Sequence, residues 1–181
     1  MAHWSEKRTV YEGSILTVKS GRVVLDSGES VAFDIVEHAG GVAVVPLLGD
    51  DVLLVRQPRL AVEQDLLEIP AGKREANDND LEGRARAELE EETGYRAGRL
   101  VRAADFFVSP GFSTERIVVY LGFDLTHVGA HPEPTEEIDL VRLPLAEVRR
   151  MLAEGHFRDS KTIIGLYALL AHLDREHLSH E

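Results

Sequence analysis

Cysteine is absent from this 181-residue chain. Disulfides and thiolate-held metals are thereby excluded. Positive charge is scarce: 20 Lys and Arg stand against 32 Asp and Glu, a formal net charge of −12. Such a balance argues against a general attraction to nucleic acid or to an anionic membrane, and suits a protein that concentrates cations at one site. No run approaches the roughly 20 apolar residues of a membrane span. The opening stretch MAHWSEKRTVYEG lacks the apolar segment of a signal peptide, so a cytoplasmic protein is expected. Internal repeats and low-complexity linkers are missing too. What remains is 44% apolar and 29% charged, a composition that fits one soluble domain with a small appendage.

The first forty residues read as short strands: SILTVKSGRVVLDSG, a turn at Ser27-Gly28, then SVAFDIVEH. Gly40-Gly41 breaks that pattern. VAVVPLL, the turn GDD and VLLVRQ follow as a buried hairpin, and DLLEIPAG as another strand stopped by Pro70 and Gly72. A helix is expected over about Leu81 to Thr93. AADFFVS and RIVVYLGFDL are strands around the loop PGFSTE, IDLVRLP is a strand, and Pro144 opens the helix LAEVRRMLAEG. Asp159 or Ser160 can cap a last helix through KTIIGLYALLAHLDREH. Strands mixed with three helices predict an α/β sandwich, a mixed sheet covered on both faces, with a separate β layer before Gly40.

The helix in the middle of the chain, LEGRARAELEEET, raises a physical problem. At 3.6 residues per turn Glu88, Glu91 and Glu92 share one sector, while Glu90 points away. Leu81, Ala85 and Leu89 border that sector, so the acids lie at the edge of a buried seam. Carboxylates there are costly without a partner, and their late position sets them against the helix dipole. Asn79 is the expected N-cap, with Glu82 completing a capping box, and Gly94 the expected stop. Two readings compete. One is a solvated acidic face with arginine partners. The other is a Mg²⁺ site, since hard cations take carboxylate oxygens together with water and substrate phosphate.

The stretch from Gly72 to Tyr95 resembles the Nudix box, Gly-x5-Glu-x7-Arg-Glu-U-x-Glu-Glu-x-Gly-U with U apolar. Glu88, Leu89, Glu91, Glu92, Gly94 and Tyr95 match its second half. Two positions depart from it. The interval from Gly72 to Gly94 is one residue longer, so the first glutamate becomes Asp78 counted forward or Asn79 counted backward. The arginine before Glu88 is Ala87. Arg84, one turn earlier, can lean toward Glu88 or Glu91 and take over that cation's task; Arg86 points toward Glu90.

The similarity extends over nearly the whole chain. VEHAGGVAVVPL, VLLVRQPR, LLEIPAG and FFVSPGFSTE resemble the ADP-ribose pyrophosphatase branch, and Pro110 stands at that branch's marker position, sixteen residues beyond Gly94. The resemblance implies a Nudix-type α/β/α sandwich (residues 40–181) with an N-terminal antiparallel β subdomain (residues 1–39) that forms a homodimer and a substrate wall. It implies Mg²⁺, or Mn²⁺, held by the Ala71 carbonyl, Glu88, Glu91, Glu92 and Glu136. The loop HPEPTEEIDL carries the further acid; register against Ile138 favours Glu136, with Glu133 and Glu137 as alternatives. Glu136, Glu91 or Glu92 would take the proton of the attacking water. The implied substrate contacts are Arg59 and Arg56 on the diphosphate or ribose, Phe33 on adenine, Pro110 and Gly111 along the ribose wall, and Glu115 on ribose.

The expected reaction is hydrolysis of ADP-ribose to AMP and ribose 5-phosphate. Another nucleoside diphosphate sugar such as GDP-mannose is the nearest alternative substrate. Ala87 motivates a second alternative, an ADP-ribose-binding sensor of little catalytic power. Neither nucleic acid nor membrane is an expected partner. His38, His127 and His131 lack metal-ligand spacing and are read as structural or solvated.

Overall fold

The computed structural model describes residues 1–74, 80–130 and 137–178. By their contacts the residues fall into two compact units, Met1–Gly40 with Phe106–Arg116, and Gly41–Asp105 with Ile117–Glu181.

The first unit is built on three strands, β1 (His3–Glu12), β2 (Leu16–Val24) and β3 (Ser30–His38), paired antiparallel in the order β1-β2-β3. The β2–β3 turn is at the Ser27-Gly28 signal, where Gly28 has φ 87° and donates to the Leu25 carbonyl. β1 has no counterpart among the expected strands. Apart from Trp4 every residue of HWSEKRTVYE is exposed, so the strand shows no apolar alternation to read. The segment after Phe106 is tied to β3 by Val36 N–H to Phe112 O (2.8 Å) and Thr114 N–H to Val36 O (3.0 Å).

The second unit carries a seven-stranded sheet. β4 (Gly41–Leu48), β5 (Asp51–Arg59), β8 (Tyr95–Phe107), β9 (Arg116–His127) and β10 (Asp139–Pro144) run in the order β10-β5-β4-β9-β8. β6 (Gln64–Glu68) pairs with β5, and the short β7 (Ala71–Lys73) pairs with β4. β4 and β9 are parallel while β4–β5, β5–β6, β5–β10 and β4–β7 are antiparallel, so the sheet is mixed as expected. DLLEIPAG was expected to be one strand; it is two, because Pro70 has no N–H to continue the ladder. The chain keeps its hold on β4 there through Val44 N–H to the Pro70 carbonyl, 2.9 Å.

Val42, Ala43, Val44 and Val45 of β4 are fully buried, as a strand covered on both faces must be. α1 (Leu81–Thr93) sets Ala85 and Leu89 against Val42, Val44, Val118 and Tyr120. α3 (Ser160–Leu178) approaches Val45, Ile69 and Val119 at Gly165. Because neighbouring residues of a strand point to opposite faces, the two helices cover opposite sides of the sheet. α2 (Leu145–Ala153) begins at Pro144, as the sequence predicts, and packs on β10 and β5.

Both ends of α1 are fixed locally. Gly94 closes it with φ 75°, its N–H donating to Glu90 O. The start differs from the expected capping box. Asp80 is the cap, its Oδ1 accepting from Gly83 N–H at 2.8 Å. Asn79 lies outside the described residues. Asp80 succeeds because it stands directly before the first helical residue and three residues before an N–H that needs an acceptor.

Leu89 is the fully buried centre of the α1 seam. Leu89→Ala is expected to lower unfolding free energy by about 2–5 kcal/mol, and Asp80→Ala by about 1 kcal/mol. Urea titrations of the two variants check the order; equal losses would contradict this assignment of core and cap.

Candidate active site

Two of the α1 acids, Glu88 and Glu92, are not part of a solvated face. They are 5% and 6% exposed, one turn apart on the side that meets β7. Their neighbour is the backbone of the PAG turn. Ala71 N–H donates to Glu92 Oε2 at 3.1 Å. Gly72 lies so close to Glu88 that a Cβ there would overlap the carboxylate, which would have to move from its present position. Arg84 Nη2 forms an i,i+4 ion pair with Glu88 Oε1. This is the cation the sequence calls for in place of the residue missing at Ala87.

Arg86 does not pair with Glu90, contrary to expectation. Its Nη1 donates to the Ala97 carbonyl (2.6 Å) and its Nη2 to Glu82 Oε1 (2.9 Å). Glu90 is taken by Arg96, whose Nε and Nη2 bond its two oxygens at 2.7 and 2.9 Å. The turn at Gly94 brings Arg96 back beside the helix, and its planar fork matches a carboxylate better than one i,i+4 contact does. These bonds hold the Glu90 carboxyl below its usual pKa.

Glu91 is half-buried on the same helix, yet among the described residues no three acidic or histidine side chains converge to hold an ion by themselves. Glu88 and Glu92 form a two-carboxylate edge against the backbone of Ala71 and Gly72. That donor set fits Mg²⁺, which is typically held by one or two carboxylates with water and substrate phosphate. Glu133, Glu136 and Asp78 lie outside the described residues, and Glu137 is exposed just before β10.

Arg59, at the end of β5, is committed to a side chain that the sequence did not single out. Its Nε and Nη2 grip Glu68 Oε1 and Oε2, both at 2.7 Å. Glu68 is 1% exposed and also carries Lys161 Nζ on Oε2. Burial pushes the Glu68 carboxyl up, but the Arg59 hydrogen bonds and the Lys161 charge outweigh it and hold the group below its usual range. The Arg59 guanidinium is correspondingly raised by its bonds to Glu68. An acid inside the apolar run DLLEIP was the available signal for this pair. Arg56, three residues earlier on β5, is exposed.

The other expected substrate contacts belong to the first unit. Phe33 is half-exposed and meets Trp4 edge-on, ring centroids 5.8 Å apart. Pro110 and Gly111 are exposed in a turn closed by Phe112 and Ser113 N–H on Ser109 O. Glu115 is half-buried, with Oε1 3.8 Å from His38 Nδ1. His38 serves the backbone, its Nδ1 accepting from Gly40 N–H at 2.9 Å. His127 packs edge-on to Tyr95, and His131 is outside the described residues.

The NUDIX domain model matches residues 37–164. The chain belongs to the Nudix family. A protein of Bacillus subtilis named ADP-ribose pyrophosphatase is 31% identical over 166 residues, 90% of this chain and 89% of that one. One of the same name from Mycobacterium tuberculosis is 33% identical over 90% of this chain and 80% of its own length. A Bacillus methanolicus protein named methanol dehydrogenase activator is 34% identical, covering 88% of both chains. Among solved structures, an ADP compounds hydrolase superposes with a TM-score of 0.84 at 21% identity, covering 97% of this chain and 95% of that one, which establishes the fold. The matched span includes both the PAG turn and α1.

Arg84→Ala is expected to weaken Mn²⁺ binding more than Arg86→Ala, because of the two arginines only Arg84 touches Glu88; calorimetric titration of both variants checks this, and equal affinities would contradict it. Glu68 has a depressed folded-state pKa. Its charged pairs therefore stabilise the fold above the unfolded value of about 4.3, and that contribution is lost as pH falls through the folded value. Glu68→Gln is expected to destabilise the fold near neutrality by leaving Arg59 without its counter-charge and Lys161 with Asp159 alone. It should also flatten the acid-side fall in stability, and urea midpoints measured at neutral and acid pH report both effects.

Proposed function

We propose that this Nudix protein hydrolyses ADP-ribose at its diphosphate, giving AMP and ribose 5-phosphate, with Mg²⁺ or Mn²⁺ as cofactor. The observation that carries the reading is the seating of buried Glu88 and Glu92 on the backbone of Ala71 and Gly72. Glu88, Glu92 and the Ala71 carbonyl would hold the metal, with Glu91 and Glu136 as further acids of the site. Such an ion, when bound, neutralises charge building on the diphosphate and makes water a better nucleophile.

The chain's own residues supply orientation and charge. Arg84 steadies Glu88 against the repulsion of its neighbours, and the Ala71 N–H fixes the rotamer of Glu92. Arg59 binds Glu68 through Nε and Nη2, which leaves the Nη1 donors for a phosphate oxygen. Water adds to one phosphorus, its proton passes to the carboxylate of Glu136 or of a box glutamate, and the bridging oxygen departs with the other phosphate. Arg59 offsets the charge that develops there. Arg56, Phe33, Pro110, Gly111 and Glu115 are the further candidates for substrate contact.

The two relatives named ADP-ribose pyrophosphatase, matched over nine-tenths of this chain, support the choice of substrate. Relatives named GDP-mannose pyrophosphatase match 70% of the chain at 34% identity and keep that sugar nucleotide as the second reading. Ala87 favours a sensor of little catalytic power, a reading weakened by the Arg84–Glu88 pair. The exposed Val10, Tyr11, Ile15, Val31 and Phe33 of the first unit support a homodimer. A nucleoside diphosphate sugar is a cytoplasmic metabolite, so we assign the enzyme to the cytoplasm.

Incubation with ADP-ribose, GDP-mannose and related diphosphates, with Mg²⁺ or with chelator, tests the proposal by chromatography of the products. AMP and ribose 5-phosphate are expected from ADP-ribose in the presence of metal, and Glu92→Gln should reduce turnover by about 10²–10³-fold. Preferred cleavage of GDP-mannose would move the protein to the second reading, and no metal-dependent cleavage of any compound would overturn both. Sedimentation is expected to give a species near twice the 20.1 kDa chain mass; a fully active monomer would contradict the dimer.

A further inference from the structure

We infer that Asp159, Lys161 and Thr162, at the start of α3, are positioning residues that set the PAG turn and Arg59 for the reaction. The inference rests on the proposed function for its catalytic meaning, and on geometry alone for the positioning.

The first turn of α3 grips the last residue of β6, Glu68, and the residue after it, Ile69, just before the PAG turn. Thr162 is fully buried, and its Oγ1 accepts the Ile69 N–H at 2.9 Å. The same hydroxyl donates to Asp159 Oδ2 at 2.6 Å, which fixes its lone pair on the strand. Asp159 Oδ2 also accepts Thr162 N–H at 2.9 Å, so the carboxylate is both the helix cap and the orienting group. Lys161 Nζ lies 3.1 Å from Asp159 Oδ2 and forms its second ion pair with Glu68 Oε2. Backbone at Ile69 and side chain at Glu68 are thus held by neighbouring residues of one helical turn.

Both grips lead to chemistry. Two residues beyond Ile69, Ala71 N–H holds Glu92 and Gly72 lies on Glu88. Pro70 between them permits little φ adjustment, so a displacement at Ile69 passes on to Ala71. Glu68, in turn, is the carboxylate that fixes the Arg59 fork. Thr162 therefore acts toward the metal side, and Lys161 toward the arginine proposed for phosphate. A purely structural cap would need only Asp159 and the free N–H groups of α3. The threonine hydroxyl and the lysine are used instead on β6 and the residue after it, 93 positions away in sequence in each case.

Two near-isosteric variants separate the arms. Thr162→Val removes the acceptor for Ile69 N–H, and Lys161→Met keeps the stem without the charge. In the metal-free protein, hydrogen exchange of a peptide spanning residues 69–74 is expected to speed up in Thr162→Val, while exchange over the middle of α1 stays at the wild-type rate. Mn²⁺ affinity of Thr162→Val, measured without substrate, is expected to fall on the order of 10–100-fold. Thr162→Ser, which keeps the hydroxyl, should restore both. Lys161→Met is expected to raise KM for ADP-ribose with a smaller change in kcat and in Mn²⁺ affinity, and Lys161→Arg to recover most of the loss.

Folded Thr162→Val with wild-type exchange and wild-type Mn²⁺ affinity would overturn the inference for the metal side. Lys161→Met with unchanged KM would overturn it for Arg59, and this test remains if Thr162→Val fails to fold. Wild-type protein that binds no Mn²⁺, combined with faster exchange in Thr162→Val, would instead refute the proposed function while leaving the positioning intact.

Discussion

The contact on which the rest depends is that between the carboxylates of α1 and the backbone of Ala71 and Gly72. Acids at a buried helix edge repel one another and lose hydration. Here an amide N–H and an arginine lower that cost, and a glycine provides the space. The arrangement places negative charge at a spot with limited hydration, where a divalent cation gains more than it would at an open acidic surface. The remainder of the second unit can be understood as support for that one contact. β4 holds β7 by antiparallel pairing, the Leu89 seam fixes the rotation of α1, and Asp80 and Gly94 fix its length.

A second polar system lies next to the first. Glu68 joins Arg59 on β5 to Lys161 on α3, across strands and helix that hydrophobic packing alone would locate only approximately. Removing one partner of such a buried group leaves its charge poorly compensated, which is costly. Hydrophobic burial at Val45, Ile69 and Val119 brings α3 to the sheet, and the Glu68 and Thr162 bonds define its register there. Stability and placement are thus divided between apolar and polar contacts of the same helix.

Much of this was legible in the sequence because it is local. The bounds of α1, the stop at Gly94, the turn at Ser27-Gly28 and the mixed sheet follow from turn chemistry and apolar patterning, and the spacing of the box glutamates pointed to a shared site. Arg84 was found for the same reason, since an i,i+4 neighbour is visible on a helical wheel. What escaped depends on distant chain segments. Arg86 turned to the Ala97 carbonyl because β8 returns beside α1, and Arg96 reached Glu90 by the same return; the Glu82–Arg86 pair, by contrast, is an i,i+4 contact of the helix itself. The Glu68–Lys161 pair joins residues 93 positions apart, and no local pattern announces it. β1 escaped for the opposite reason, being too exposed to carry an apolar period.

The central proposal is that Glu88 and Glu92 of this Nudix protein, with the Ala71 carbonyl, would hold a divalent cation. Anomalous diffraction from a crystal soaked in Mn²⁺ tests it most directly. A manganese peak in contact with both carboxylates and the Ala71 oxygen is the predicted result. Crystals that take up manganese elsewhere, with neither Glu88 nor Glu92 in contact with it, would contradict the account.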